Sequence, residues 1–295
     1  MSLYYYLVVG ITLGLYSLLS LSLNIITGYA GQPTLGHAAF FGIGAYTSAL
    51  LTTRAGLNFW LALPLSFLTA ALVGWVVGLA SLRVKEDFLA ITTMGINFVV
   101  VSFFLYSPYF GGALGLGNIP APALFGFNFD KTAYFGLVAV VTITVVLFSR
   151  FLEKTWMGLA FRALRDDEEA ALANGIKVQA FKLWAFVLGT GLAGLAGSLY
   201  AHHITFISAG DFGFPLSITV LAMAVFGGLG TVEGALAGAL ILGLAPEVFR
   251  FLADYRMLVY GGLLVVMMLF KPSGLLGRTE LKINLFRRLP ARRRG

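Results

Sequence analysis

RFLEKTWMGLAFRALRDDEEAALANGIKVQAFK, residues 150–182, is the one long, strongly charged segment in a chain that is otherwise mostly apolar. Hydrophobic residues make up 59% of the 295 residues and charged residues only 11%, whereas soluble domains carry about 25% charge. The mean hydropathy is +0.89, and residues 55–82 and 88–129 contain no Asp, Glu, Lys or Arg. Both stretches exceed the roughly 20 apolar residues that cross a bilayer, so the composition predicts a polytopic membrane protein.

Apolar segments of about spanning length occur nine times along the chain. They lie at residues 3–26, 35–53, 60–82, 88–107, 133–149, 183–201, 214–229, 234–247 and 256–270. Backbone polar groups in lipid must be satisfied within the protein, and these segments lack the two-residue alternation of barrel strands. We therefore expect an all-α, polytopic helix bundle of about nine spans (8–10). Residues 1–277 would form the transmembrane domain and residues 278–295 a basic tail.

The positions of Lys and Arg indicate the orientation, because short cytoplasmic loops are enriched in them. Basic clusters at residues 83–85, within 150–182 and from Lys271 onward are expected on the cytoplasmic side. With nine spans the N-terminus is then outside and the C-terminus inside. The start MSLYYYL lacks a basic n-region, so no signal peptide is expected. The net charge of +7 lies mostly in loops and the tail, which indicates anionic lipid as a partner and no nucleic acid.

The centre of the charged segment reads as a short polar helix exposed to water between two spans. Arg162 with Asp166, and Arg165 with Glu169, have the i,i+4 spacing of helical ion pairs. Asn174-Gly175 is typical of a helix that ends in the left-handed conformation. The residues predicted for this element are Arg162, Arg165, Asp166, Asp167, Glu168, Glu169, Ala170, Ala171 and Gly175. A plain solvated loop remains the alternative for a charge run of this kind.

Two glycine-rich breaks interrupt the apolar segments. They read NIITGYAGQPTLGHAAFFGIGAY at residues 24–46 and FGGLGTVEGALAGALILG at residues 226–243. Small residues let helices approach closely. In many transporters the backbone N–H and C=O groups left unpaired at such breaks bind the solute. Both follow a helix that runs toward the cytoplasm, so an internal repeat and an ordinary tight hairpin are both open. The residues expected to line a substrate path or gate are Gly28, Gly31, Gln32, Gly36, His37, Gly227, Gly228 and Gly230.

Few residues could carry chemistry. The titratable candidates near or within spans are His37, His202, His203, Asp211 and Glu233. The chain has no cysteine, and it contains no HExxH, GxSxG or P-loop motif. We expect no catalytic residue, no metal site and no cofactor in this chain, so that energy comes from a gradient or a partner. An intramembrane enzyme that uses His37 or the His202-His203 pair is the disfavoured alternative.

The order Glu169-Ala170-Ala171, followed after three residues by Gly175, resembles the cytoplasmic coupling loop of bacterial ABC-importer permeases. The Ile-x-Leu-Pro that often ends that loop is missing, and Ala185 stands at the matching position. Five stretches, at residues 28–51, 162–178, 182–201, 217–242 and 263–277, together resemble the LivM-type permeases of branched-chain amino-acid ABC importers.

That resemblance implies an inner-membrane permease subunit with no ATPase site of its own. It also implies a LivH-like second permease, two LivG/LivF-like ATPase subunits that bind the ATP, and a periplasmic amino-acid-binding protein. A permease for urea, short amides or sugars is the alternative within transport, because related permeases carry those solutes.

Overall fold

The computed structural model describes residues 3–82, 86–124, 127–248, 255–271 and 273–277. These residues are helical apart from connecting loops and one two-residue antiparallel ladder, β1 (Ala123–Leu124) with β2 (Phe127–Asn128). The helices are α1 (Leu3–Leu23), α2 (His37–Thr53), α3 (Phe59–Ser81), α4 (Glu86–Tyr106), α5 (Lys131–Lys154), α6 (Trp156–Asp166), α7 (Glu168–Ala173), α8 (Val178–Ile204), α9 (Phe214–Gly227), α10 (Val232–Val248) and α11 (Arg256–Phe270). A π-helical turn, Asn24–Tyr29, extends α1, and short 3-10 turns lie at Pro108–Phe110, Gly112–Leu114 and Ala209–Phe212. The all-α expectation is confirmed.

Six helical segments within the described residues are long and apolar enough to cross a membrane. They are Tyr4–Tyr29, Phe59–Ser81, Phe88–Tyr106, Lys131–Lys154, Val178–Ile204 and Ala209–Gly227. All nine predicted segments fall on helices, but α2, α10 and α11 have only 17, 17 and 15 residues. The chain is therefore a multi-pass membrane protein with six segments of spanning length in its described part, and the predicted count of nine is not confirmed.

The centre of the bundle is α8 packed against α2 and α3, with α1 beside it. Small residues at the crossing points bring the backbones together. A Cβ on Gly44 of α2 would overlap the main chain of Gly194 in α8, and one on Gly197 would overlap the main chain of Phe41. In lipid no hydrophobic force drives helices together, so close van der Waals packing of this kind holds them.

Large apolar side chains cover the outer faces of α3, α4, α5 and α11 instead of being buried. The exposed residues include Leu61, Leu68, Leu72, Ile91, Phe98, Val99, Phe103, Val140, Ile143, Leu147, Phe151, Leu258, Val265 and Leu269. Exposed apolar surface on this scale is unusual for a protein in water. These faces fit lipid or another membrane subunit.

Two ends of the bundle can be distinguished by which loops meet. At one end, which we call the junction end, the Tyr29–Gly36 connection, the 150–182 segment, the α9–α10 turn and residues 273–277 lie together. Leu276 donates its N–H to the carbonyl of Gly227 there, at 2.8 Å. At the other, the loop end, Leu116 and Ile207 form a β-bridge, and Trp60 donates to the carbonyl of Ala123 at 3.0 Å.

The 150–182 segment differs from the single polar helix that was predicted. Its first residues belong to α5 and its last five to the start of α8. Between them lie α6 and α7, which are separated at Asp167, whose extended backbone (φ −161°, ψ 109°) interrupts the helix. Asp167 then caps α7 by accepting the Ala170 N–H at 2.9 Å. The end of α7 is as predicted, because Gly175 has φ +79°.

The two predicted i,i+4 ion pairs of this segment are wrong. Arg165 and Glu169 lie on different helices, because α6 ends at Asp166. Arg162 instead lies 3.9 Å from Glu153 of α5. Across the described residues the other ion pairs are Arg150–Glu233 and Lys182–Glu168. Two of these three pairs therefore join parts of the 150–182 segment to one another, and Arg150–Glu233 joins the segment to α10.

Candidate functional site

The two glycine-rich breaks, far apart in sequence, meet at the junction end. Asn24, which is 1% exposed, links them through its side chain. Its Nδ2 donates to the carbonyl of Thr231 at 3.1 Å, and its Oδ1 accepts the N–H of Gly230 at 2.8 Å. We call this contact the glycine junction; its residues are Asn24, Gly28, Gly31, Gly228, Gly230 and Thr231.

The charged segment reaches directly into the glycine junction. Arg165 of α6 donates from Nη1 to the carbonyl of Gly28 at 2.6 Å. A Cβ on Gly31 would lie 3.1 Å from the Cα of Arg165, and one on Gly230 would overlap the Arg165 guanidinium. The structure thus brings a residue predicted for coupling into contact with three residues predicted for the path. This arginine therefore contacts both breaks, by a hydrogen bond to Gly28 and by close packing on Gly230.

Charged and polar groups around the junction tie α5, α8 and α10 to it. Glu153 of α5 accepts the Tyr29 hydroxyl at 3.0 Å, and Arg150 pairs with Glu233 of α10 at 3.0 Å. Gln32 donates from Nε2 to the carbonyl of Lys182 at 3.1 Å. The 150–182 segment is therefore anchored to the first break at several independent points.

Sequence reasoning did not single out Asn24, Tyr29, Glu153 or Thr231 as site residues. One available signal was the placement of Asn24 at the end of a long apolar run, where a polar side chain needs a partner. Glu153 carried no comparable signal, because a carboxylate at the end of a span is ordinarily hydrated. Its role follows only from the approach of α5 to Tyr29.

The surface of the 150–182 segment is mixed in character. Arg165, Asp166, Asp167, Glu169, Ala170 and Gly175 are exposed, Arg162 and Glu168 are half-buried, and Ala171 is buried. Beside them, Trp156, Leu159 and Leu172 are 70%, 59% and 64% exposed. Large apolar side chains next to carboxylates on a polar end of the molecule are typical of a protein-binding surface.

The second part of the first break lies deeper in the bundle than the junction. His37, at the start of α2, bonds Ser22 through Nε2 at 2.7 Å. Ala38 donates its N–H to the hydroxyl of Ser217 at 3.0 Å, and a Cβ on Gly36 would overlap the Thr93 carbonyl. The beginning of α2 is thus partly satisfied by hydroxyl groups. Gly36 and His37 form a separate location from Gly28, Gly31, Gly227, Gly228 and Gly230.

The other titratable candidates have structural contacts. His202 lies between the Ser48 hydroxyl at 2.9 Å and the Pro120 carbonyl at 2.7 Å, which engages both ring nitrogens. His203 stacks on Tyr134, and Asp211 accepts the Ser208 N–H at 2.8 Å. In the described part of the chain, no three His, Asp or Glu residues are grouped as a metal site would require.

A bundle of membrane helices with paired glycine breaks, tied to an exposed charged segment at one end, defines a transport protein of the permease class. The chain belongs to the family described as branched-chain amino acid transport system, permease component, whose model matches residues 5–268. The molecule is thus a member of that permease family.

The chain is similar to permease proteins of Escherichia coli and of Methanocaldococcus jannaschii. The high-affinity branched-chain amino acid transport system permease protein LivM of Escherichia coli is 37% identical, covering 92% of this chain and 70% of LivM. LivH of the same organism is 27% identical, covering 92% of this chain and 95% of LivH. A protein named as a probable LivM of Methanocaldococcus jannaschii is 26% identical, covering 89% and 90%. No solved structure matches the chain.

Proposed function

We propose that this chain is one permease subunit of an ATP-driven importer of branched-chain amino acids in a bacterial inner membrane. The observation that carries the proposal is the Arg165 contact with Gly28, because it joins an exposed polar element to both breaks of a bundle in this permease family. The relatives' names supply the substrate class. The chain itself provides the path, and ATP would be bound by partner subunits.

Coupling would run through α6 and α7. A docked ATPase subunit would bind the exposed face of Asp166, Glu169 and Gly175, with Trp156 and Leu159 as apolar contacts. Movement of that subunit would displace Arg165, and with it the backbone of Gly28 and Gly230. The glycine junction would then act as the gate at this end, while Gly36 and His37 would line the path deeper in the bundle.

The assembly would contain a LivH-like second permease, two ABC ATPase subunits and a periplasmic binding protein. Similarity of this chain to both LivM and LivH of one organism supports pairing of two related permeases. The exposed apolar faces of α3, α4, α5 and α11 are large enough for both lipid and such a partner.

Nine crossings would place the junction end and the C-terminus in the cytoplasm and the N-terminus outside. Supporting this, the described connections after α1, α5 and α9 lie at the junction end, and those after α2, α4 and α8 lie at the loop end. The 17 residues of α2 span about 25 Å, less than the roughly 30 Å of a hydrocarbon core. Because the Ala30–Gly36 connection lies within the protein, a shorter α2 can complete that crossing. The basic clusters at residues 83–85 and 278–295 also favour this orientation. Both lie outside the described residues.

Reconstitution of the complete importer in proteoliposomes tests the function. We expect uptake of radiolabelled leucine, isoleucine and valine that requires both ATP and the binding protein. Uptake of leucine by this chain alone without ATP would contradict an ABC permease. Uptake of urea or ribose with no amino acid uptake would retain the permease and overturn its substrate class.

A further inference from the structure

A cavity of about 360 Å³ opens in the half of the bundle nearer the loop end. It lies between α1, α8, α9 and α11 and the 3-10 turn Ala209–Phe212, away from the glycine junction. Its size falls at the lower end of the roughly 300–1,000 Å³ that small-molecule sites occupy. Its lining includes Leu15, Leu19, Phe41, Tyr200, His203, Asp211 and Leu216.

One wall of the cavity is aromatic and rigid. The rings of Phe41 and Tyr200 lie 5.2 Å apart, and Phe41 packs on Phe212 at 5.5 Å. Leu15, Leu19 and Leu216 form an aliphatic surface in the same cavity. Such walls accept a branched aliphatic chain, and the ring faces also attract a cation.

Asp211 is the one acidic or basic residue, histidine apart, in the described lining of the cavity. The Ser208 N–H holds its Oδ2 at 2.8 Å, which fixes the carboxylate in place. Among the described residues no Lys, Arg or His nitrogen lies within ion-pair distance of it. Asp211 is exposed, so its carboxylate is open to a ligand that brings its own positive charge and can form a charge-assisted hydrogen bond.

A second unused polar group borders the same cavity. His203 is 6% exposed, and its Nδ1 has no hydrogen-bond partner among the described residues. A neutral imidazole offers one N–H donor and one acceptor. A buried ring nitrogen without a partner is uncommon in native proteins. Because this nitrogen is closed off from solvent, the His203 ring must turn to present it to a ligand in the cavity.

We propose that this cavity is a substrate-binding site for a zwitterionic aliphatic amino acid, with Asp211 binding the ammonium and His203 donating to the carboxylate. The side chain then lies along Leu15, Leu19 and Leu216. This assignment rests on the proposed transport of branched-chain amino acids and adds the site and the groups that recognise the substrate. Urea and sugars carry no positive charge and leave Asp211 unpaired.

Single-cysteine labelling in the assembled importer tests the site, because the chain has no cysteine of its own. Leu216→Cys places a thiol on the cavity wall, and Thr219→Cys is a second position if the first does not assemble. We expect L-leucine to slow maleimide labelling of either thiol. 3-Methylbutylamine, which keeps the ammonium, protects at higher concentration, and 4-methylpentanoate, which lacks it, does not. Labelling of Thr132→Cys, exposed at the start of α5, serves as the control that leucine leaves unchanged.

Asp211→Asn, combined with each reporter cysteine, tests the carboxylate itself. Loss of a charge-assisted hydrogen bond raises the leucine concentration needed for protection roughly 10- to 100-fold. Asp130→Asn is the matched control, since Asp130 is an exposed carboxylate at the same end that makes no side-chain capping bond. It leaves protection unchanged.

The outcomes separate the site from the function. An importer that carries leucine but shows no protection at either thiol overturns the site and leaves the proposed function intact. Protection that persists at the same leucine concentration in Asp211→Asn overturns the role of the carboxylate. Protection by 4-methylpentanoate equal to that by leucine also overturns it. An importer that carries no amino acid refutes the proposed function, whatever the labelling.

Discussion

Replacing Asn24 by alanine removes the side chain that links the two glycine breaks. The change leaves the Gly230 N–H and the Thr231 carbonyl without their partner in a site that is almost fully buried. Each unsatisfied buried group costs about 1–3 kcal/mol, so the expected loss of stability is roughly 2–6 kcal/mol. That is a large share of the roughly 5–15 kcal/mol that stabilises a typical protein.

Denaturation of the purified chain in mild detergent, followed by circular dichroism, measures this loss. Asn58→Ala is the matched control, because Asn58 is exposed at the start of α3 and its side chain makes no capping bond. We expect it to change the free energy of unfolding by less than about 0.5 kcal/mol. An Asn24→Ala variant as stable as Asn58→Ala would refute the reasoning, since the two main-chain groups would then have found other partners or water.

Three further predictions use the same chain. For topology, Asp167→Cys labels with an impermeant maleimide only from the cytoplasmic side and Leu114→Cys only from outside; labelling of both from one side contradicts the orientation. Leu114 is 88% exposed. It is preferable to Asn118 of the same loop, whose φ of 58° a cysteine would adopt with strain. For coupling, Glu169→Lys lowers leucine-stimulated ATP hydrolysis at normal membrane insertion, whereas a lysine at Asp130 does not. For the junction, Gly228→Ala destabilises the protein by about 1–3 kcal/mol, because it combines φ +124° with a Cβ 2.7 Å from the Cα of Gly277. Gly136→Ala in α5, with open space around its Cβ, is the control in the same unfolding measurement.

A bulky substitution at Gly228 would report on packing as well as on the transport path. The sequence predicts that Gly31 and Gly228 line a path or gate, and a larger side chain at such a position would block flux and spare assembly. In the structure Gly228 packs on the main chain of residues 274–277, and Gly31 packs on Arg165. Substitution at Gly228 therefore disturbs packing first, and loss of transport would follow from loss of structure.

Helical segments and membrane character could be read from the sequence because both depend on local composition. A run without charges must be buried in lipid or protein, and a backbone in lipid must form helices. The left-handed end at Gly175 was predictable for the same reason, since it depends on residue type alone. The break at Asp167 was not predicted, although an Asp before two glutamates and an alanine is a common helix start.

What the sequence by itself determined about this protein is thus its class, its apolar segments and the two breaks in them. Only the tertiary structure decided that Asn24 bridges to Thr231 across 207 positions and that Arg165 bonds Gly28 across 137. It also decided that Asp211 and His203 border one cavity with Leu15. The physical reason is that periodicity and residue type constrain neighbours along one helix, whereas the contact of two breaks depends on how several helices cross. Those crossings depend on steric contacts such as Gly44 against Gly194, which no local pattern specifies.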